Sequence, residues 1–394
     1  MPGVHHKPPK NASTDAIRDI NRRIVLNLIR TRQPLSRADL ARVSGLQRST
    51  VSLIVEDLIE DRWVIEGSRG RLPRGRHPTF LRLNDERAII SVDVRPSQAT
   101  VALADVNGRF TSRETMDTPK DPKAAIELLS RKIQLLMRIC KGRKIEGIGI
   151  SLPGRIDQTS SRLLFAPNLG WRDVDLQRPL AKATGLDVEL ENAANACVLA
   201  AVWFDRIPSS QDLVVLTVSE GIGAGILVNG SIVRGRNGMA GEFGHVPLDP
   251  NGPPCTCGSR GCWEVFGSNR AALRYYYESD IQRADLSFAE LLAIADQGDS
   301  RAAKALDAMA HYLGRGMRMI VAGLAPERII IIGDLTRSWH RFGPVLESEI
   351  QAQVLPGAAP PELIPVHEDG MARLRGTVAL VLQKHFGAVQ EVRS

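Results

Sequence analysis

Apolar residues recur at helical spacing near the start of the chain. Ile17, Ile20, Ile24, Leu28 and Ile29 fall along one face of residues 15–33, with arginines on the other. The pattern predicts a helix that stops at Pro34, which has no backbone N–H to continue it. A shorter helix is predicted in LSRADLARV, where Ser36 and Asp39 have the spacing of a capping box and Gly45 supplies the turn that follows. The next segment, LQRSTVSLIVEDLIEDRW, aligns Val51, Ile54, Val55 and Leu58 in one stripe and leaves Gln47, Arg48, Ser49, Thr50 and Ser52 near an exposed N-terminal end. Two short helices about a glycine turn, the second polar at its start, predict a helix-turn-helix that reads the major groove. A generic helical hairpin is the plainer alternative. The period then shortens to two in WVIEG and TFLRLN, which flank SRGRLPRGR. This reads as a wing whose Arg69, Arg71, Arg74 and Arg76 follow phosphates or enter the minor groove, or as a solvated linker.

From Arg87 onward strands and helices alternate. AIISVDV turns at Arg95 and Pro96 into TVALADVNGRF, which turns again at Asn107-Gly108; IEGIGISLPG, LVVLTVSEGIGAGILV and RIIIIGD are further strand runs. Similar openings at residues 89 and 213 suggest a duplicated α/β unit with a cleft between the copies. The expected organisation is a disordered tail (1–14), a winged helix-turn-helix (15–85), a first lobe (86–191), a second lobe (192–370) and a closing helix (371–394). Leu374, Val378 and Leu382 form the apolar side of that closing helix.

Charge sharpens this division. Residues 1–85 hold 16 Lys+Arg against 9 Asp+Glu, which accounts for the whole chain's net charge of +7; the other 309 residues are balanced. A basic excess confined to one small segment points to a module for a polyanion joined to a neutral body. The chain shows no secretory h-region and no apolar run of spanning length, so a cytoplasmic protein without membrane insertion is expected.

Three of the five cysteines fall within eight residues: Cys255, Cys257 and Cys262, with His245 ten positions before the first. One imidazole and three thiolates suit a tetrahedral structural zinc site. Disulfides or buried free thiols are the alternatives, though adjacent cysteines bridge poorly and nothing argues for export.

The run GEFGH followed by CTCGSRGCWE resembles the signature of the ROK family of repressors, open reading frames and sugar kinases. SLPGRID, APNLGW, ENAANA and SEGIGAGI occur in that family's order, over about residues 87–390. The N-terminal module resembles its repressor branch. The resemblance implies a two-lobed, actin-like sugar-kinase body whose sugar pocket is lined by Gly154, Arg155, Asn168, Asn192, Glu242, His245 and Glu264. In that pocket the metal histidine also faces the sugar. It further implies a palindromic double-stranded operator, a monosaccharide or sugar-phosphate effector, and a homodimer or homotetramer.

The chain departs from a kinase where chemistry would occur. The family's catalytic aspartate position is Ala193 here, and loss of a positioned base typically costs about 100- to 10,000-fold in rate. The first phosphate loop of an active member is rich in glycine, but here Asp93 is followed by VRPSQ. The second reads Ser219, Glu220, Gly221, with a carboxylate where phosphates would sit; in a late strand a family Gly-Gly is Gly333-Asp334. Glu220 and Asp334 fit either a closed hinge or drift at an unused site. The expectation is a pseudo-kinase regulator with no catalytic residues, probed against two alternatives: an active sugar kinase carrying a DNA-binding domain, and an adaptor for another protein.

Overall fold

The structure is a computed structural model that describes residues 14–69, 78–140, 142–204, 212–277, 286–352, 359–366 and 371–387. Residues 1–13 of the tail expected at 1–14 and the wing residues Arg71, Arg74 and Arg76 lie outside these residues, while position 14 already belongs to a helix; for Arg69 only the backbone is described.

Helix α1 (Thr14–Arg32) leads through β1 (Leu35–Ser36) into α2 (Arg37–Ser44) and α3 (Arg48–Glu60), and β2 (Val64–Arg69) and β3 (Thr79–Leu83) follow. The strands form an antiparallel sheet in the order β1-β3-β2, the arrangement of a winged helix-turn-helix. Ser36 Oγ accepts from the Asp39 N–H and Asp39 Oδ2 accepts from the Ser36 N–H, at 3.2 and 3.1 Å, which closes the capping box. Gly45 ends α2 with φ +71°.

The buried face of α1 differs from the apolar stripe in its sequence. Val25, Leu26 and Ile29 are fully buried, whereas Ile17, Ile20 and Ile24 are only half-buried. The reason is that the second half of α1 packs on two neighbours at once: its own domain, and the body behind it.

That body begins with β4 (Ala88–Val94), β5 (Gln98–Asp105), β6 (Phe110–Asp117), α4 (Pro122–Ile139) and β7 (Ile145–Leu152). A small sheet follows, made of β8 (Arg155–Asp157), β9 (Arg162–Ala166) and β10 (Trp171–Val174), then α5 (Gln177–Thr184), β11 (Val188–Asn192) and α6 (Ala193–Trp203). The second half contains β12 (Leu213–Val218), β13 (Ile222–Val228), β14 (Ser231–Ile232), α7 (Trp263–Gly267), α8 (Asn269–Tyr277), α9 (Phe288–Asp296) and α10 (Ser300–Leu324). It closes with β15 (Arg328–Ile332), α11 (Trp339–Gln351), β16 (Glu362–Val366) and α12 (Met371–Phe386).

The duplication is visible in the two five-stranded sheets, ordered β6-β5-β4-β7-β11 and β14-β13-β12-β15-β16. In each, an antiparallel meander supplies three strands and two parallel strands complete the sheet. Helix α6, apolar all round and almost wholly buried, lies between them with α12. The two helices touch through their backbones: a Cβ at Gly376 would stand 1.8 Å from the Ala196 carbonyl oxygen, so only glycine fits.

The N-terminal helical unit shares a core with this body. One continuous apolar cluster runs from Val25, Ile29, Leu58 and Trp63 to Leu199, Trp203, Val378, Leu382 and Phe386. Polar contacts reinforce it. Arg30 donates from Nη1 to the Trp203 carbonyl at 3.0 Å and lies 4.3 Å over the indole, while Asn27 donates to the Phe386 carbonyl at 2.7 Å. Arg87 stacks 3.8 Å over Trp63 and pairs with Glu146, which also lies 3.5 Å from His385.

Candidate functional site

The metal-ligand candidates converge because the chain doubles back. Glu242–His245 forms a single tight turn after Gly241, which has φ +88° and where a Cβ would stand 2.0 Å from the Ala224 carbonyl oxygen, so a side chain is excluded. The following loop is fastened by backbone bridges between Pro247 and Cys262 and between Pro254 and Arg260. The ligand atoms of His245, Cys255, Cys257 and Cys262 all lie within 4.8 Å of one another. Cys255 Sγ is 3.6 Å from His245 Nδ1, and Cys257 Sγ is 3.7 Å from Cys262 Sγ. A tetrahedron with sulfur about 2.3 Å from its centre has edges of roughly 3.7 Å, so the set fits a metal ion. Burial pushes the Cys255 and Cys262 thiols up, and the neighbouring sulfurs push Cys262 further. Three crowded sulfurs would repel one another as thiolates, and a central cation removes that repulsion.

The same turn delivers side chains to the cleft. With Nδ1 toward the sulfurs, His245 turns Nε2 toward Glu242, whose Oε2 is 3.7 Å away. Burial raises the Glu242 carboxyl above its ordinary value, opposed by His245 and Arg155. Glu264, in the first turn of α7, is buried and accepts from the Ile222 N–H at 3.1 Å. Asn168 Oδ1 accepts from Thr256 Oγ1 at 3.1 Å and from Arg270 Nη1 at 3.0 Å. Glu264 and Asn168 both crowd Gly221, where a Cβ would meet Glu264 Oε2 at 2.2 Å and Asn168 Nδ2 at 3.0 Å.

Gly154 and Asn192 form a second group. Asn192 Nδ2 donates to the Gly154 carbonyl at 2.7 Å, and its Oδ1 caps α6 by accepting from the Ala194 N–H at 2.8 Å. The Asn192 amide is therefore committed to positioning the start of α6. Arg155 reaches Met239 Sδ at 2.9 Å, which places its charge near Glu242.

Sequence reasoning missed a buried node beside these residues. Glu191, 1% exposed at its side chain, receives Arg234 Nη2 at 2.6 Å. Its other oxygen accepts from the Asn192 N–H at 2.9 Å and from Asn195 Nδ2 at 3.1 Å. The Glu191/Asn195 spacing within ENAANA was a usable signal; Arg234, 43 residues away, offered none. Thr256 and Arg270 were missed for the same reason.

The β4-β5 and β12-β13 turns, where the resemblance would place phosphate loops, are engaged with one another. Arg95 Nε donates to Asp93 Oδ2 at 2.7 Å, and Ser97 Oγ donates to Glu220 Oε1 at 3.3 Å, joining the β4-β5 and β12-β13 turns directly. Against the effect of burial, Asp93 and then Glu220 hold the Arg95 guanidinium above its ordinary value. Asp93 Oδ1 has no hydrogen-bond partner among the described residues. Ala193 sits at the buried start of α6 and offers only a methyl group; Asp334 lies 3.9 Å from Arg337.

The DNA-reading candidates stay apart from this cleft. Gln47, Arg48 and Ser49 are exposed at the start of α3, with Thr50 and Ser52 half-exposed beside them. No helix among the described residues is long and apolar enough to cross a membrane.

Comparison with known proteins agrees with this architecture. The profile of the ROK family matches residues 89–384. The xylose repressor of Bacillus spizizenii is 30% identical, over 94% of this chain and 96% of the relative. The glucokinase of Thermotoga maritima is 33% identical over 66% of this chain and 87% of its own length. Among solved structures, a ROK family transcriptional regulator described as a homologue of the E. coli MLC protein superposes with a TM-score of 0.79. It is 25% identical and covers 95% of this chain and 98% of that one. A Streptomyces griseus ROK glucokinase in complex with glucose and AMPPNP gives 0.67, at 26% identity over 74% of this chain and 98% of its own. The glucokinases cover 66% and 74% of the chain, whereas the two regulators cover 94% and 95% of it. The chain belongs to the ROK family.

Proposed function

We propose that this protein is a sugar-responsive, DNA-binding transcriptional regulator, a repressor of carbohydrate-metabolism genes whose body binds a sugar without phosphorylating it. The observation that carries the reading is α6. The helix starts at the cleft, where Asn192 caps it, and ends at Trp203, whose carbonyl is held by Arg30 of the reading head. A ligand that shifts Gly154, Asn192 or Glu191 acts on one end of a rigid element whose other end touches the DNA-binding module. For the sugar to release DNA it must bind the weak-binding arrangement more tightly than the strong-binding one.

The sugar's hydroxyls are assigned to Glu242, His245, Glu264, Asn168, Arg155 and the Gly154 backbone, a mixture of donors and acceptors suited to paired hydroxyls. Zinc is assigned to His245, Cys255, Cys257 and Cys262, where it would fix the imidazole's orientation and brace the loop bearing Glu242 and Glu264. The chain's own residues do the rest: His245 presents Nε2, Glu242 accepts, and the Ser97–Glu220 contact occupies the phosphate side. Ala193, at the family's base position, cannot take a proton from an attacking hydroxyl. The head, residues 15–85, reads a palindromic operator as part of a homodimer or homotetramer, because two half-sites need two heads at fixed spacing.

Operator binding by the full chain, titrated with a panel of monosaccharides and sugar phosphates, tests this. Binding should weaken steeply with salt, and one sugar should release the DNA. ATP-dependent phosphorylation of any hexose, lost on Glu242→Gln, would instead establish the kinase reading. Tight operator binding with no calorimetric response to any sugar would establish the adaptor reading.

A further inference from the structure

The outward face of α3 carries a residue that the groove-reading list above leaves out. Helix α3 buries Val51, Ile54, Val55 and Leu58, and its opposite stripe consists of Ser49, Leu53 and Glu56, with Ser52 half-exposed alongside. Leu53 is 62% exposed. A lone exposed leucine is ordinary on a protein surface. This one stands on the first half of the helix, four residues after Ser49, on the same face and about 6 Å further along the axis. That advance corresponds to roughly two base steps of about 3.4 Å each.

Charge decides which half of α3 approaches DNA. Glu56 and Glu60 are exposed on the later turns, where phosphates would repel them. Arg48 is exposed at the start, and Gln47 provides no side-chain cap to the first N–H groups, which leaves the positive end of the helix facing outward. Leu53 therefore lies at the inner limit of the approachable stripe. The major groove presents donors, acceptors and a single kind of apolar group, the 5-methyl of thymine.

We propose that Leu53 is a specificity-determining residue that packs against a thymine 5-methyl group in each operator half-site. The inference rests on the reading of α3 as a DNA-binding helix. Burying one methyl-sized group is worth about fourfold in affinity, equivalent to about 0.8 kcal/mol.

The test uses the full chain and an operator selected from a random duplex pool. Each thymine is replaced in turn by deoxyuridine, which pairs identically but lacks the methyl. At one thymine per half-site the replacement should weaken wild-type binding about fourfold. Leu53→Ala should bind the thymine operator more weakly and be indifferent to deoxyuridine at that position, while Leu53→Met should recover part of the discrimination. All three proteins should melt alike, since the site is exposed. The proposal is overturned if Leu53→Ala keeps every deoxyuridine penalty of the wild type, or if its only effect is on oligomeric state in sedimentation. A selection that enriches no sequence removes the DNA-binding reading itself, and this inference with it.

Discussion

On one side of the cleft, His245 and three cysteines converge from positions up to 17 residues apart, and the tight turn that carries the histidine also aims Glu242 inward. On the other side, Arg95 is turned back onto Asp93 and Ser97 reaches Glu220, across the two turns where the family resemblance would place phosphate. The first side gathers groups suited to hydroxyls, as the proposed function requires; the second holds a contact between the β4-β5 and β12-β13 turns. We propose that the Ser97–Glu220 contact serves a closed hinge, one of the two explanations the sequence leaves open for Glu220. Under the proposed function, recognition and reaction in this fold are separable: a binding wall persists while the phosphate side holds the lobes together.

This contrast can be broken most sharply at the metal side. Cys257→Ser should lower sugar affinity by at least about 100-fold and reduce thermal stability, because a structural metal site contributes folding free energy directly. Metal content, calorimetric sugar titration and a thermal melt of the full chain check it. Sugar affinity retained in a metal-free variant would overturn the role given to this wall. Next in size, Arg30→Met should leave sugar affinity within about twofold while cutting sugar-induced DNA release by about tenfold, since it removes the hydrogen bond to Trp203 but keeps much of the packing. Parallel calorimetry and operator-release titrations separate the two effects, and unchanged release would exclude α6 as the coupling element.

A smaller effect is expected with pH. Burial holds the His385 imidazole below its ordinary value of about 6.5; Glu146 opposes this, and Arg87, Lys144 and Lys384 add to it. Because the folded state disfavours the proton, the stability contribution is complete above about pH 6.5 and is lost as pH falls through the lower folded value. Thermal melts between pH 7.5 and 5 should show the decline, with a shallower slope in His385→Gln. The smallest expected change is none at all. Ala193→Asp restores a carboxylate at the missing base, yet phosphorylation should stay undetectable because Arg95 and Glu220 still occupy the phosphate side. Turnover in that single variant, measured by ADP release with a hexose panel, would show that the two sides are less separate than described.

Much of the fold was legible because it is local. The capping box at Ser36 and Asp39, the glycine turn at Gly45 and the paired strand openings at 89 and 213 all follow from short-range spacing. The clustering of His245 with Cys255, Cys257 and Cys262 was legible for the same reason. What the sequence did not disclose depends on distant partners: Arg30 meets Trp203 across 173 residues, and Arg234 meets Glu191 across 43. The buried face of α1 was misjudged on Ile17, Ile20 and Ile24 because periodicity describes a helix with one neighbour, and α1 has two. The resemblance gives Asn192 as a sugar ligand; the sequence did not disclose that its amide also caps α6 and holds Gly154.

The apolar cluster that passes from Val25 and Trp63 into Leu199 and Phe386 also limits how this architecture can be rearranged. A reading head grafted from a relative would bring its own version of Arg30, Trp63 and the surfaces around them. The recipient's α6 and α12 would have to change to receive it. Heads and bodies in such a chain must be inherited as matched pairs, and a chimera that exchanges one without the other should melt earlier than either parent.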